Sequence, residues 1–87
     1  MPDEFRELQQ DRDYESRGFQ SLIRGDYEAA IRIFRQQWDA RLSRQREARQ
    51  WQPKGGPAHN LGISFLSAGR GADGLRWILR AFAEDVV

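Results

Sequence analysis

Tyr27, Ala30, Ile31, Phe34 and Trp38 recur at intervals of three and four residues, separated by charged and polar side chains. That spacing fits one face of an α-helix and no face of a strand. Upstream, Phe5, Leu8, Phe19, Leu22 and Ile23 sit in a charged, helix-compatible stretch that Gly25-Asp26 interrupts. Asp26 is placed to cap the second helix by accepting a first-turn N–H. That helix meets no obvious stop before Trp51, because helix-forming Arg, Gln, Glu, Leu and Ala dominate residues 36–50. Gln52-Pro53-Lys54-Gly55-Gly56-Pro57 then breaks it. A third helix is expected from about Ala58 to Ala68, carrying Leu61, Phe65 and Leu66. Gly69 to Gly74 reads as a turn. A fourth helix is expected from about Gly74 to Glu84, with Leu75, Ile78, Leu79 and Phe82 at core spacing. Nothing alternates with the period of a strand. The expectation is an all-α chain of two antiparallel helical hairpins.

Eighty-seven residues make one small domain or a piece of a larger one. With 39% hydrophobic and 31% charged residues its core is thin. The absence of cysteine excludes disulfides, thiolate metal sites and cysteine nucleophiles. No apolar run approaches the roughly 18 residues of a membrane span, and no signal peptide is evident. A cytoplasmic protein without membrane contact is the expectation.

Charge is balanced in sum but not in place. Residues 1–28 hold eight acids against four bases, a local net of −4; residues 41–54 hold five bases against Glu47, a net of +4. Two readings are open: two separately solvated helical faces, or complementary ends that pair within or between chains.

The two hairpins resemble each other. Gly18 precedes Gly25 by seven residues, and Gly62 precedes Gly69 by the same interval. In the first copy Gly25-Asp26-Tyr27 leads to Ala30 and Phe34; in the second, Leu61-Gly62 and Phe65 lead to Gly74 and Ile78. A helix glycine allows close approach of the second helix, and a turn glycine allows positive φ. This pattern resembles the tetratricopeptide repeat family, whose unit of about 34 residues carries Leu-Gly-x2-Tyr followed by Ala-x3-Phe. The resemblance covers about residues 11–44 and 55–87. Arg17 and Ser21 depart from it in the first copy, Gly74 and Ile78 in the second. The helix glycines are 44 residues apart, so about ten surplus residues extend the second helix over about 42–52.

The resemblance implies a non-enzymatic protein-interaction module whose groove is lined by the first helix of each repeat. Carried over position by position, the groove is Glu15, Phe19, Leu22 and Ile23, then His59, Asn60, Ile63 and Leu66. An apolar segment, an amphipathic helix or another copy of the chain would suit such a lining. Two repeats leave an end uncovered, at Ala81, Phe82, Val86 and Val87. Self-association, membership of a larger protein, or residues 1–10 acting as a covering helix would each resolve this. Trp38 is expected to be packed. For Trp51, beyond reach of the compact hairpin, and Trp77, offset from the Leu75–Phe82 stripe, two readings are open, a contact role or plain packing.

Other chemistry is weaker. Gly69-x-Gly71-x2-Gly74 spells a dinucleotide fingerprint, but a helix precedes it and no acid follows at the required distance. His59, the single histidine, has only Asn60 and Ser64 as polar neighbours in sequence, which makes neither a catalytic triad nor a metal site. No catalytic residue, cofactor or metal is expected. Arg41, Arg44, Arg46 and Arg49 could track phosphates with Trp38 and Trp51 stacking on bases. The near-neutral chain and its acidic first third argue against that, and Arg44 and Arg49 are kept as possible interface residues.

Overall fold

The computed structural model describes residues 3–85. Among them are four helices and no strand: α1 (Asp3–Ile23), α2 (Tyr27–Ala48), α3 (Gly55–Ser67) and α4 (Gly71–Asp85). The strongest packing is between consecutive helices, α1 on α2, α2 on α3 and α3 on α4. The all-α expectation and the order of the hairpins hold, while several boundaries move. Residues 3–10 are the first turns of α1 and not a separate covering helix. α2 ends at Ala48, with Arg49 in the left-handed region at φ 52°. α3 begins three residues early, because Pro57 falls in a first turn whose N–H groups have no intrahelical partner. α4 begins at Gly71, so the second turn spans only Ala68–Arg70.

The two hairpin turns are built alike. Gly25 (φ 77°) donates to the Leu22 carbonyl at 3.0 Å and Asp26 to that of Ser21 at 2.9 Å. Forty-four residues on, Gly69 (φ 78°) donates to Leu66 at 3.0 Å and Arg70 to Phe65 at 2.9 Å. Each pair is the hydrogen-bonded termination that a left-handed glycine makes possible. Asp26 caps α2 as expected, its Oδ1 accepting from the Ala29 N–H at 3.2 Å.

The close approaches follow the same offset. A Cβ on Gly18 would lie 2.5 Å from the Phe34 ring, and one on Gly62 2.5 Å from Ile78 Cγ1. Gly18 therefore faces Phe34, which is fully buried with Ala30 beside it. Ala30, Phe34, Trp38, Ala58, Leu61 and Ala81 form the core, with Leu22, Ile31, Phe65 and Trp77 against it.

Polar groups hold the far ends of the hairpins. Asp11 accepts from Arg41 Nε and Nη2, both at 2.7 Å, and from Gln37 Nε2 at 3.2 Å. Arg44 adds ion pairs at 3.5 Å to Asp11 and 4.0 Å to Glu7. The acidic and basic ends thus pair within the chain. Burial pushes the Asp11 carboxyl up, but its hydrogen bond from Arg41, reinforced by Gln37 and the arginine charges, outweighs this and holds it below the usual range. Arg41 also donates to the Pro53 carbonyl, which ties the inter-hairpin linker to α1. On the other side of that linker, buried Lys54 pairs with Glu84 at 3.2 Å and donates to the Gln52 carbonyl at 3.1 Å and to the Gln45 side chain. Its ammonium stands 5.9 Å from the Trp38 ring and 5.6 Å from that of Trp51.

Candidate functional site

α4 determines the exposed face. Gly74 lets it lie so close to α3 that a Cβ there would stand 2.9 Å from the Gly62 carbonyl oxygen and 2.7 Å from Leu66 Cγ. Gly74, Trp77, Ile78 and Ala81, at intervals of three, one and three, are consequently the inward face. Leu75, Leu79 and Phe82 lie about 100° further round the helix and point to solvent. They are 57%, 58% and 64% exposed.

This corrects the expected core of the fourth helix. Leu75, Leu79 and Phe82 are not core residues, and Ile78 alone of that stripe packs inward. Ala81, expected at the uncovered end, is buried. Trp77 is half-buried, its ring edge-on to Trp38 at 5.1 Å between centroids, with the Arg35 guanidinium 5.3 Å away. Val86 and Val87 lie outside the described residues.

α3 extends the apolar face. Leu66 and Ile63 are exposed on this helix, and Leu66 lies against Gly74 of α4. At the other end of α4, Phe82 joins Glu15, His59 and Asn60 around a cleft of about 290 Å³ that also takes in Ile78 and Asp85. Glu15, His59 and Asn60 are therefore brought together from α1 and α3. The other residues expected in the groove behave differently. Phe19 meets Phe34 edge-on at 5.3 Å, and Leu22 packs against the core. Ile23 is 86% exposed near the end of α1, outside the cleft.

The arginine-rich helix does not present a continuous basic track. Arg44 turns to Glu7 and Asp11, and Arg41 is consumed by Asp11 and Pro53. Arg46 and Arg49 remain exposed, Arg49 as the left-handed cap of α2. Trp51 is exposed in the linker but not isolated, since Lys54 sits under its ring. No helix among the described residues is long and apolar enough to cross a membrane.

The residues missed as surface are Leu75 and Leu79. Their signal was Gly74 itself: its place twelve residues after the helix glycine matches that of Ala30 after Gly18 and marks the side of α4 that meets α3. No family model, curated protein or solved structure matches this chain.

Proposed function

We propose that this chain is a non-enzymatic protein-interaction module that receives an amphipathic helix on the face made by α3 and α4. One observation carries the reading. Trp38 and Phe82 stand twenty residues after Gly18 and Gly62 respectively, the same place in two hairpins. Trp38 is 5% exposed beneath the second hairpin, whereas Phe82 is 64% exposed. Around Trp38 the surface of α2 is covered by the second hairpin, whereas around Phe82 that of α4 is covered by no helix among the described residues. An uncovered apolar face on a helical hairpin is suited to a further helix.

The resemblance to tetratricopeptide repeats supports the same reading, because stacked hairpins of that kind bury their faces against neighbouring helices. The matching intervals of seven, twelve and sixteen residues from each helix glycine are what recommend it here. In this reading Leu75, Leu79, Phe82, Leu66 and Ile63 supply the apolar contact. Glu15, His59 and Asn60 meet the polar edge of the docked helix.

The test is selection of helical peptides from a displayed library against the immobilised chain, followed by fluorescence anisotropy. Selected peptides should be amphipathic, and Phe82→Glu should weaken their binding by about thirtyfold or more. The double substitution Arg46→Glu with Arg49→Glu should leave it unchanged, and added salt should have little effect. Binding that survives Phe82→Glu, or falls steeply with salt as phosphate-type contacts do, contradicts the proposal.

A further inference from the structure

We propose that the helix received by this face is α4 of a second copy of the same chain, packed antiparallel about a two-fold axis. The inference rests on the proposed interaction face and names its occupant. Ala72, Leu75, Leu79 and Phe82 are spaced three, four and three residues apart. That is the seam along which two helices interlock. The seam contains no charged residue. Arg80 turns back to Glu84 at 3.1 Å and lies 5.5 Å from the Trp38 ring. Arg76 stands at the edge of the seam, 81% exposed, 4.0 Å from Asp73. Ala83, in the last turn of α4, occupies the same heptad position as Arg76. Antiparallel pairing sets Arg76 of each copy beside that alanine, so closing the seam buries no unpaired charge.

Area points the same way. Ile63, Leu66, Leu75, Leu79 and Phe82 expose roughly 500 Å² per copy, so two copies that cover them fully bury about 1,000 Å², the lower limit for a specific interface. A two-fold contact uses the same patch twice and closes at the dimer.

Head-to-tail stacking fits poorly. α3 contributes Ala58 and Leu61 to the core it shares with α2. The corresponding residues of α1, 44 positions earlier, are Tyr14 and Arg17, and Arg17 is exposed and paired with Asp13 at 3.4 Å. α1 of another copy therefore cannot dock on α4 as α3 docks on α2. The exposed apolar side of α1, with Phe5, Leu8, Phe19 and Ile23, is interrupted by Arg12. Burying that side on α4 would trap an unpaired guanidinium.

Sedimentation equilibrium of the full chain between about 1 and 300 μM tests this, a span that brackets weak to moderate association. The expected result is a monomer–dimer equilibrium with no larger species. Leu79→Glu should raise the dissociation constant by about thirtyfold or more, and the milder Leu79→Ala by about tenfold, with helical circular dichroism retained. Ile23→Glu should not change it. Because the chain has no cysteine, Leu79→Cys should form a disulfide-linked dimer under mild oxidation. Ala72→Cys, at the far end of an antiparallel pair, should not. A dimer that survives Leu79→Glu, one lost in Ile23→Glu, growth beyond the dimer, or cross-linking through Ala72→Cys overturns the proposal. A chain that stays monomeric yet binds the selected helical peptides overturns the second copy alone; one that does neither overturns the interaction face as well.

Discussion

Hairpin one and hairpin two share a plan and differ in what fills it. In the first, a fully buried Phe34 ring lies against Gly18, and a carboxylate–guanidinium network centred on Asp11 fastens the opposite end. In the second, half-buried Ile78 lies against Gly62, and the small Gly74 brings the helices closer still. The bulk and polarity of the first hairpin hold it under the rest of the molecule. The second keeps the α3–α4 interface slim and turns Leu75, Leu79 and Phe82 outward. The same helix–turn–helix spacing thus leaves Trp38 covered in one copy and Phe82 exposed in the other. The choice is made by which residues follow each glycine.

The strongest test of this contrast is to truncate the equivalent bulky residues. Phe34→Ala should cost about 3–5 kcal/mol in denaturant unfolding, and Ile78→Ala nearer to 2 kcal/mol because its site is half open. Equal losses would mean that the hairpins do not differ as described.

Next comes the ion pair. Asp11→Ala leaves Arg41 largely buried without its carboxylate, and should cost about 3 kcal/mol. The pH dependence has a definite sign. The folded Asp11 pKa lies below its unfolded value of about 3.9, so its contribution is present above roughly pH 4 and disappears as pH falls through the lower folded value. Asp11→Asn should therefore flatten the loss of stability below about pH 4, measured as unfolding midpoint against pH.

A smaller effect separates the two close approaches. Gly74→Ala pushes a methyl against the Gly62 carbonyl and Leu66, and should destabilise by about 1–3 kcal/mol despite the better helix propensity of alanine. Ala30→Gly, its counterpart, should cost about 1–2 kcal/mol, from helix propensity together with the lost buried methyl. A stabilising Gly74→Ala would show that α3 and α4 are further apart than the structure has them. Smallest of all, Leu75→Gln should change the unfolding free energy of the dilute chain by no more than about 0.5 kcal/mol, as for a surface residue.

Much of this fold was legible in the sequence. The stripe from Tyr27 to Trp38 located α2, Asp26 its cap, and the glycine pairs both turns, because each is a local rule acting within a few residues. What failed was the orientation of α4. Leu75, Ile78, Leu79 and Phe82 make the more hydrophobic stripe, and the ordinary rule sends such a stripe inward. Here closeness of backbones wins over side-chain bulk: Gly74 and Ala81 admit α3 and Trp77 reaches Trp38, leaving the leucines outside. The start of α3 was missed because a proline is a stop inside a helix and acceptable in its first turn. Internal pairing of the acidic and basic ends stood as one of two readings, since local charge counts do not say which side chains meet. In the candidate site, Glu15, His59 and Asn60 do converge, and Phe82 joins them, whereas Leu22 is held in the core and Ile23 stands apart.

The most direct measurement of the central claim is the thermal unfolding midpoint as a function of protein concentration, for the native chain and for Leu79→Glu. If the outward stripe of α4 is an interface, the native midpoint rises with concentration by mass action. The Leu79→Glu chain should still unfold cooperatively, at a midpoint that does not depend on concentration. A native midpoint that is flat with concentration, together with a Leu79→Glu chain that no longer folds, would place the stripe in the core and contradict the account.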